Sequence, residues 1–129
     1  MAEKTGTRIN QVHTIGIPVG DQSRSVTFYA DTLGFDVVLD ATYGGGQRWV
    51  ELAPAGAATT IALVLASPTA PAGVDTGIRF STQDVDGDHA HLLAGGIDVD
   101  PEIMRWPGVP PMFTLRDPDG NRLVIVQQA

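Results

Sequence analysis

The chain has 129 residues, with 8 lysines and arginines against 15 aspartates and glutamates, so its net charge at pH 7 is −7. This length suits one domain, and the absence of cysteine excludes disulfides, cysteine-zinc sites and thiol nucleophiles. Because the few cations are scattered and no run of about 18 residues is apolar, we expect neither a nucleic-acid partner nor a membrane partner. The first 11 residues carry no apolar stretch typical of a secretory signal, so we expect a cytoplasmic protein.

The sequence predicts the same order of elements twice: a strand, a helix and then three strands. The apolar and turn patterns place helices at 22–33 and 85–94. The strands are predicted at 12–18, 35–42, 47–53, 59–65, 76–81, 97–100, 112–116 and 122–127. Proline content marks residues 67–75 as a linker and residues 101–111 as a long irregular loop.

An internal repeat supports this division into two units. HTIGIPVGD ends at Asp21 and TGIRFSTQD ends at Asp84, an offset of 63 residues, and each aspartate is placed to cap the helix that follows. Further along, WVELAPAG (49–56) matches FTLRDPDG (113–120) with an offset of 64. We therefore predict a polar tail at 1–11 and one domain at 12–129. That domain consists of a unit at 12–66 and a unit at 75–128.

Two segments resemble a known family. DQSRSVTFYADTLGF (21–35) and RDPDGNRLVIV (116–126) are similar to the vicinal oxygen chelate superfamily, which includes glyoxalase I, extradiol dioxygenases and bleomycin resistance proteins. The resemblance implies an α+β fold in which two tandem βαβββ units form curled half-barrels around a cavity. It also implies a homodimer, with the cavity built either within one chain or between two chains.

The resemblance further implies four metal-ligand positions, one on the first and one on the last strand of each unit. They correspond here to Thr14, Ala62, Gly77 and Val124, of which only the threonine has a side-chain donor. A divalent cation needs four or more oxygen or nitrogen ligands. We therefore expect a metal-free protein with no cofactor. Strand alternation predicts that His13 points away from the cavity.

Alternation along the strands selects the residues that face the predicted cavity. An offset of 64 places Phe113 and Leu115 on the same side as Trp49 and Glu51. Met104 and Trp106 lie in the long loop and are candidates for a lid. The candidate ligand-binding residues are Thr14, Trp49, Glu51, Arg79, Met104, Trp106, Phe113 and Leu115. An alternative is that Arg79 and Glu51 form an ion pair and close a packed interior.

These residues favour a small-molecule-binding protein that sequesters a planar or aromatic ligand without a metal. Three alternatives stay open at this point. One is a metal-dependent lyase, isomerase or dioxygenase that uses a displaced metal held by Glu51, His13 or a dimer partner. A second is metal-free acid-base catalysis with Glu51 as the base and Arg79 as the anion stabiliser. The third is a scaffold whose cavity is filled by its own side chains.

Overall fold

A computed structural model describes residues 6–129. Its strands are β1 (Thr14–Val19), β2 (Asp36–Tyr43), β3 (Gln47–Ala53), β4 (Thr60–Leu65), β5 (Asp75–Thr82), β6 (Met104–Trp106), β7 (Val109–Arg116) and β8 (Arg122–Gln127). Its helices are α1 (Gln22–Thr27), which continues as a π-helical turn over Phe28–Thr32, and α2 (Val85–Ala94). Of the predicted tail, residues 1–5 lie outside the described residues, and residues 6–13 belong to no helix or strand.

Both helices begin at an aspartate cap, as the repeat predicts. The Asp21 carboxylate accepts a hydrogen bond from the Arg24 backbone N–H at 3.1 Å, and Asp84 accepts one from the Gly87 N–H at 3.0 Å. Each bond satisfies a backbone donor that the first turn of a helix leaves without a partner. Gly95 then caps the end of α2. Among the described residues, no helix has the length and apolar character needed to cross a membrane.

The strands form two four-stranded sheets with the same topology. The strand order is β1-β4-β3-β2 in the first sheet and β5-β8-β7-β6 in the second. In each sheet the first and last strands of the unit pair in parallel, and the other pairs are antiparallel. The structure thus has the predicted α+β fold of two βαβββ units.

Each sheet buries one face in a core that is continuous between the two units. In the first unit the buried set includes Ile17, Val50, Leu52 and Leu63, all without exposed surface. The second unit contributes an equivalent set to the same core: Ile78, Phe113, Leu115, Leu123 and Ile125. Because successive residues of a strand point to opposite faces, the other half of each strand lies on the face away from this core.

We call these outer faces the first and second open faces. The first open face carries, by strand register, Thr14, Gly16, Pro18, Leu39, Ala41, Tyr43, Trp49, Glu51, Thr60, Ala62 and Val64. The second open face carries Arg79, Ser81, Met104, Met112, Thr114, Val124 and Val126.

A buried polar cluster joins the two units. The Tyr29 hydroxyl in the first unit donates to Asp117 Oδ2 in the second at 2.8 Å. Asn121 Nδ2 donates to the same Oδ2 at 3.0 Å and to the Pro18 carbonyl oxygen at 2.8 Å. Tyr29 and Asn121 have no exposed surface, and Asp117 is 4% exposed. Buried polar groups are stable when they are hydrogen-bonded, so this cluster fixes how the units pack.

The region predicted as a long loop contains a strand that the sequence pattern did not indicate. Residues 104–106 form β6 and pair with β7, which begins at Val109 rather than at 112. The predicted strand at 97–100 is reduced to one isolated bridge between Val99 and Leu115, with two flanking backbone hydrogen bonds to β7. The prediction of an irregular loop over 101–111 was therefore wrong. Pro107 and Gly108 provide the turn of a hairpin, and Gly108 has a φ of 75°.

Candidate ligand-binding site

Glu51 lies at the centre of the first open face, on β3. Trp49 Nε1 donates a hydrogen bond to Glu51 Oε2 at 2.7 Å, and the Thr60 hydroxyl donates to Oε1 at 2.7 Å. These two donors, the indole first, hold the pKa of Glu51 below its ordinary value, although burial of the carboxylate opposes them. Glu51 is only 7% exposed. The face therefore presents a buried, ionised carboxylate at neutral pH.

Thr14, at the start of β1, lies on the same open face as this carboxylate, and His13 precedes it in the chain. Thr14 is opposite Thr60 in the strand register, and its hydroxyl oxygen is buried without a hydrogen-bond partner among the described residues. His13 is exposed, and its Nε2 lies 4.0 Å from Glu51 Oε1. The prediction that His13 points away from the site was wrong. β1 begins only at Thr14, so strand alternation does not orient the preceding residue.

The surroundings of Glu51 are apolar. In the strand register Leu39 and Ala62 flank Glu51 on either side, and Ala41 lies beside Trp49. Leu39 is 45% exposed and Val64 is 39% exposed, so in a single chain this surface is open to solvent. Apolar walls around a few fixed polar groups are typical of a small-molecule site.

Five of the eight predicted site residues lie in the second unit, and three of these keep exposed surface: Arg79, Met104 and Trp106. Arg79 is on the second open face, exposed, and donates a hydrogen bond to the Gly77 carbonyl oxygen at 3.2 Å. Met104 is partly buried, and Trp106 is 60% exposed. Within the described residues Arg79 makes no ion pair with Glu51, whose ionic neighbour is His13. One chain therefore does not bring these three residues together with Trp49 and Glu51.

Phe113 and Leu115 lie on the opposite side of β7 from the one predicted. Both have no exposed surface, and the Phe113 ring packs edge-on against His89 of α2 at a centroid distance of 5.0 Å. The error comes from the repeat offset of 64. The register pairs Ala62 with Glu51 in the first unit and Val124 with Thr114 in the second, so the true offset on this strand is 63. A slip of one residue reverses the face of every side chain.

The four positions that the resemblance assigns to a metal do not fit one. Thr14 and Ala62 lie on the first open face and Val124 on the second, while Gly77 lies where the register of β5 shifts. Only Thr14 has a side-chain oxygen, and a single hydroxyl does not satisfy a divalent cation. Among residues 6–129 no group of three or more histidines, aspartates or glutamates is arranged to hold a metal ion. Glu51 and His13 supply two ligands at most.

A separate cavity of about 500 Å³ lies between the two units, away from the residues just described. Its walls include Phe35 from the first unit and Phe80, Asp88 and His91 from the second. The Phe35 and Phe80 rings contact each other across the units at a centroid distance of 5.1 Å. None of the eight predicted site residues lines it. No sequence motif marks this cavity, because it forms where segments distant in the chain meet.

Two βαβββ units with the same sheet order, each leaving one sheet face uncovered, define the class of two-unit α+β folds to which this chain belongs. A family model confirms the resemblance inferred from the sequence. The chain belongs to the Glyoxalase/Bleomycin resistance protein/Dioxygenase superfamily, whose model matches residues 10–125.

Three relatives illustrate the likeness. The first is the crystal structure of TnmS3, an antibiotic binding protein from Streptomyces sp. CB03234, whose sequence is 36% identical to this chain. The match covers 96% of this chain and 100% of the TnmS3 chain, with a TM-score of 0.84. A superfamily member from Sphaerobacter thermophilus DSM 20745 is 32% identical over 95% of this chain and 100% of its own, with a TM-score of 0.86. The uncharacterized protein YetH of Bacillus subtilis (strain 168) is 29% identical over 116 residues, or 88% of this chain and 94% of its own.

Proposed function

We propose that this protein binds and sequesters a planar or aromatic small molecule on the first open face, without a metal ion. The observation that carries the proposal is the arrangement around Trp49. Its indole is fixed by the hydrogen bond to Glu51 at 2.7 Å and is bordered by apolar side chains that are open to solvent. A fixed aromatic side chain beside apolar surface offers a ligand stacking area at little cost in conformational entropy.

The lack of metal donors supports binding over metal-dependent chemistry. A metal-dependent lyase, isomerase or dioxygenase would need three or four protein ligands, and the described residues at this site supply two, Glu51 and His13. Metal-free acid-base catalysis is also disfavoured. The Trp49 and Thr60 hydrogen bonds lower the pKa of Glu51, which makes it a weaker proton acceptor at neutral pH. The description of TnmS3 as an antibiotic binding protein is in keeping with a binding role.

We further propose that the binding protein is a homodimer in which the second open face of one chain covers the first open face of its partner. The first open face leaves Leu39, Tyr43 and Val64 between 39% and 52% exposed. A patch of this kind on a monomer usually marks an interaction surface. A partner chain would bring its own Arg79, Met104 and Trp106 to the site, whereas one chain alone does not place these residues beside Trp49 and Glu51.

Two measurements test this function. We expect at least one compound from a library of planar aromatic molecules to bind with one site per chain, and to bind equally well with and without a chelator. We also expect elemental analysis of protein purified without chelator to find less than a tenth of a divalent ion per chain. One tightly held divalent ion per chain, or ligand binding that the chelator abolishes, would contradict metal-free binding and favour a metal-dependent enzyme instead.

Sedimentation equilibrium tests the dimer. We expect the unmodified protein to sediment as a dimer and Val64→Lys, which places a charge on the first open face, to sediment as a monomer. The matched control is Leu93→Lys, because Leu93 is also exposed, at 49%, but lies on α2. A monomeric unmodified protein, or a dimer that only the control disrupts, would contradict the proposed interface.

A further inference from the structure

Glu51 gives the first open face a charge preference that the proposed function does not specify. We infer that the ligand carries a protonated nitrogen that binds the Glu51 carboxylate, so that the protein selects planar cations over neutral or anionic molecules of the same shape. The inference rests on the proposed function, since it names the chemical class of the ligand at the same site.

The first step is that Glu51 lacks a fixed counter-charge. Its two hydrogen-bond donors, the Trp49 indole and the Thr60 hydroxyl, are neutral groups. The ionic neighbour among the described residues is His13, at 4.0 Å, and the His13 side chain is 75% exposed. A buried carboxylate is usually paired, because leaving water without a cation is costly. Within one chain the carboxylate is therefore one positive charge short, and in the proposed dimer the ligand cation would compete with the partner's Arg79 for it.

The second step is that the carboxylate retains room for another partner. Each carboxylate oxygen accepts about two hydrogen bonds, and each Glu51 oxygen accepts one from the neutral donors. The Glu51 side chain keeps 9% of its surface exposed. A donor that approaches along the first open face would find an acceptor already oriented by Trp49 and Thr60. Such a fixed acceptor loses little entropy when it binds.

The third step is the unpaired hydroxyl of Thr14. Its oxygen is buried and has no hydrogen-bond partner within the described part of the chain, although it lies opposite Thr60 in the register. An unsatisfied buried hydroxyl costs stability, and Thr14 shares the first open face with Glu51, so a ligand N–H group that reaches its oxygen would relieve this cost. The protein's net charge of −7 also attracts cations towards the surface as a whole.

The test uses three tricyclic planar compounds of similar size and isothermal titration calorimetry. These are 9-aminoacridine, which is protonated at neutral pH, acridone, which is neutral, and anthracene-9-carboxylate, which is an anion. For the unmodified protein we expect 9-aminoacridine to bind roughly tenfold to a hundredfold more tightly than acridone, which is the range of a hydrogen bond to a charged group. We expect the anion to bind most weakly.

Glu51→Gln should remove the preference by lowering the affinity for 9-aminoacridine at least tenfold while leaving acridone within about twofold. The matched control is Glu102→Gln. It removes the same charge from an exposed residue that has no ion pair or hydrogen bond in the described range 6–129. The control should keep the full preference. Unchanged acridone binding also shows that the Glu51 variant folds. The ranking of the three compounds on the unmodified protein tests the cation preference without any variant.

The outcomes separate the inference from the proposed function. Equal binding of all three compounds would overturn the cation preference and leave planar-ligand binding in place. A preference that survives in Glu51→Gln, or that disappears in Glu102→Gln, would show that the overall charge rather than Glu51 selects the cation. Binding of none of the three would count against both the preference and the proposed function.

Discussion

Replacing Tyr29 with phenylalanine removes one buried hydrogen bond between the two units and leaves the aromatic packing in place. The Tyr29 ring packs edge-on against Phe28 at 5.1 Å and lies 6.1 Å from Phe35, and phenylalanine preserves both contacts. What is lost is the 2.8 Å bond from the hydroxyl to Asp117 Oδ2. That oxygen retains Asn121 as its remaining donor. The variant therefore isolates the contribution of one inter-unit bond.

The magnitude follows from the burial of both partners. Tyr29 is fully buried and Asp117 is 4% exposed, so water does not replace the lost donor. We expect the free energy of unfolding to fall by about 1–3 kcal/mol. For a domain of this length this lowers the melting temperature by roughly 4–12 °C. Tyr43→Phe is the matched control, because Tyr43 is 52% exposed, and it should change the free energy by less than about 0.5 kcal/mol.

The pH dependence of the same variant gives a second, independent readout. Burial, together with the neighbouring Asp117 carboxylate, raises the pKa of Tyr29 well above its ordinary value near 10. A raised folded-state pKa contributes stability that is present below pH 10 and is lost as the pH rises above it. Urea denaturation at pH 8 and pH 11 should therefore show a smaller difference between the unmodified protein and Tyr29→Phe at pH 11. A variant as stable as the parent at pH 8, or a difference that grows with pH, would refute this reasoning.

Two further variants test the junction and the helix cap by urea denaturation. Asn121→Ala removes the hydrogen bonds to the Pro18 carbonyl oxygen and from the backbone N–H groups of Gly73 and Val74. We expect the free energy of unfolding to fall by roughly 2–5 kcal/mol. A fall of less than about 1 kcal/mol would show that the junction does not depend on this side chain. Gly87→Ala places a methyl group against the carboxylate of the capping Asp84. We therefore expect a loss of about 1 kcal/mol rather than the gain that alanine usually brings to a helix, and a more stable variant would contradict this.

The fold could be predicted because several local signals agreed. The aspartates that begin the helices, the apolar spacing that follows and the glycine stop of α2 each point to the same boundaries, and α2 occupies the predicted residues 85–94. The family resemblance reached the same two-unit topology independently. A fold can be predicted from its sequence when the local signals, such as capping residues and apolar spacing, agree with the overall repeat pattern.

The site was predicted only in part, for physical reasons that differ between residues. Glu51 and Trp49 lie on one face because strand alternation is strict once the strand is placed. Phe113 and Leu115 were assigned to the wrong face because the repeat was aligned one residue out, and alternation turns a small alignment error into a complete reversal. The Thr60 hydrogen bond to Glu51 was missed, although strand alternation places Thr60 on the same face as Ala62, the residue opposite Glu51.

The cavity between the units lay outside any sequence-based prediction. Its walls come from the end of α1, the turn after β3, the end of β5 and α2, and their meeting depends on how the units pack. Tertiary packing of this kind leaves no periodic signal in the chain. The cavity is nevertheless useful as an alternative location against which the proposed site can be tested.

The most direct test of the account is a crystal structure of the protein with a planar compound selected by the binding screen. We predict that the compound lies against Trp49 on the first open face, with no metal ion within coordination distance of either the compound or Glu51. A compound found instead in the cavity beside Phe35, Phe80 and His91, or bound to a protein-held metal ion, would contradict the central claim.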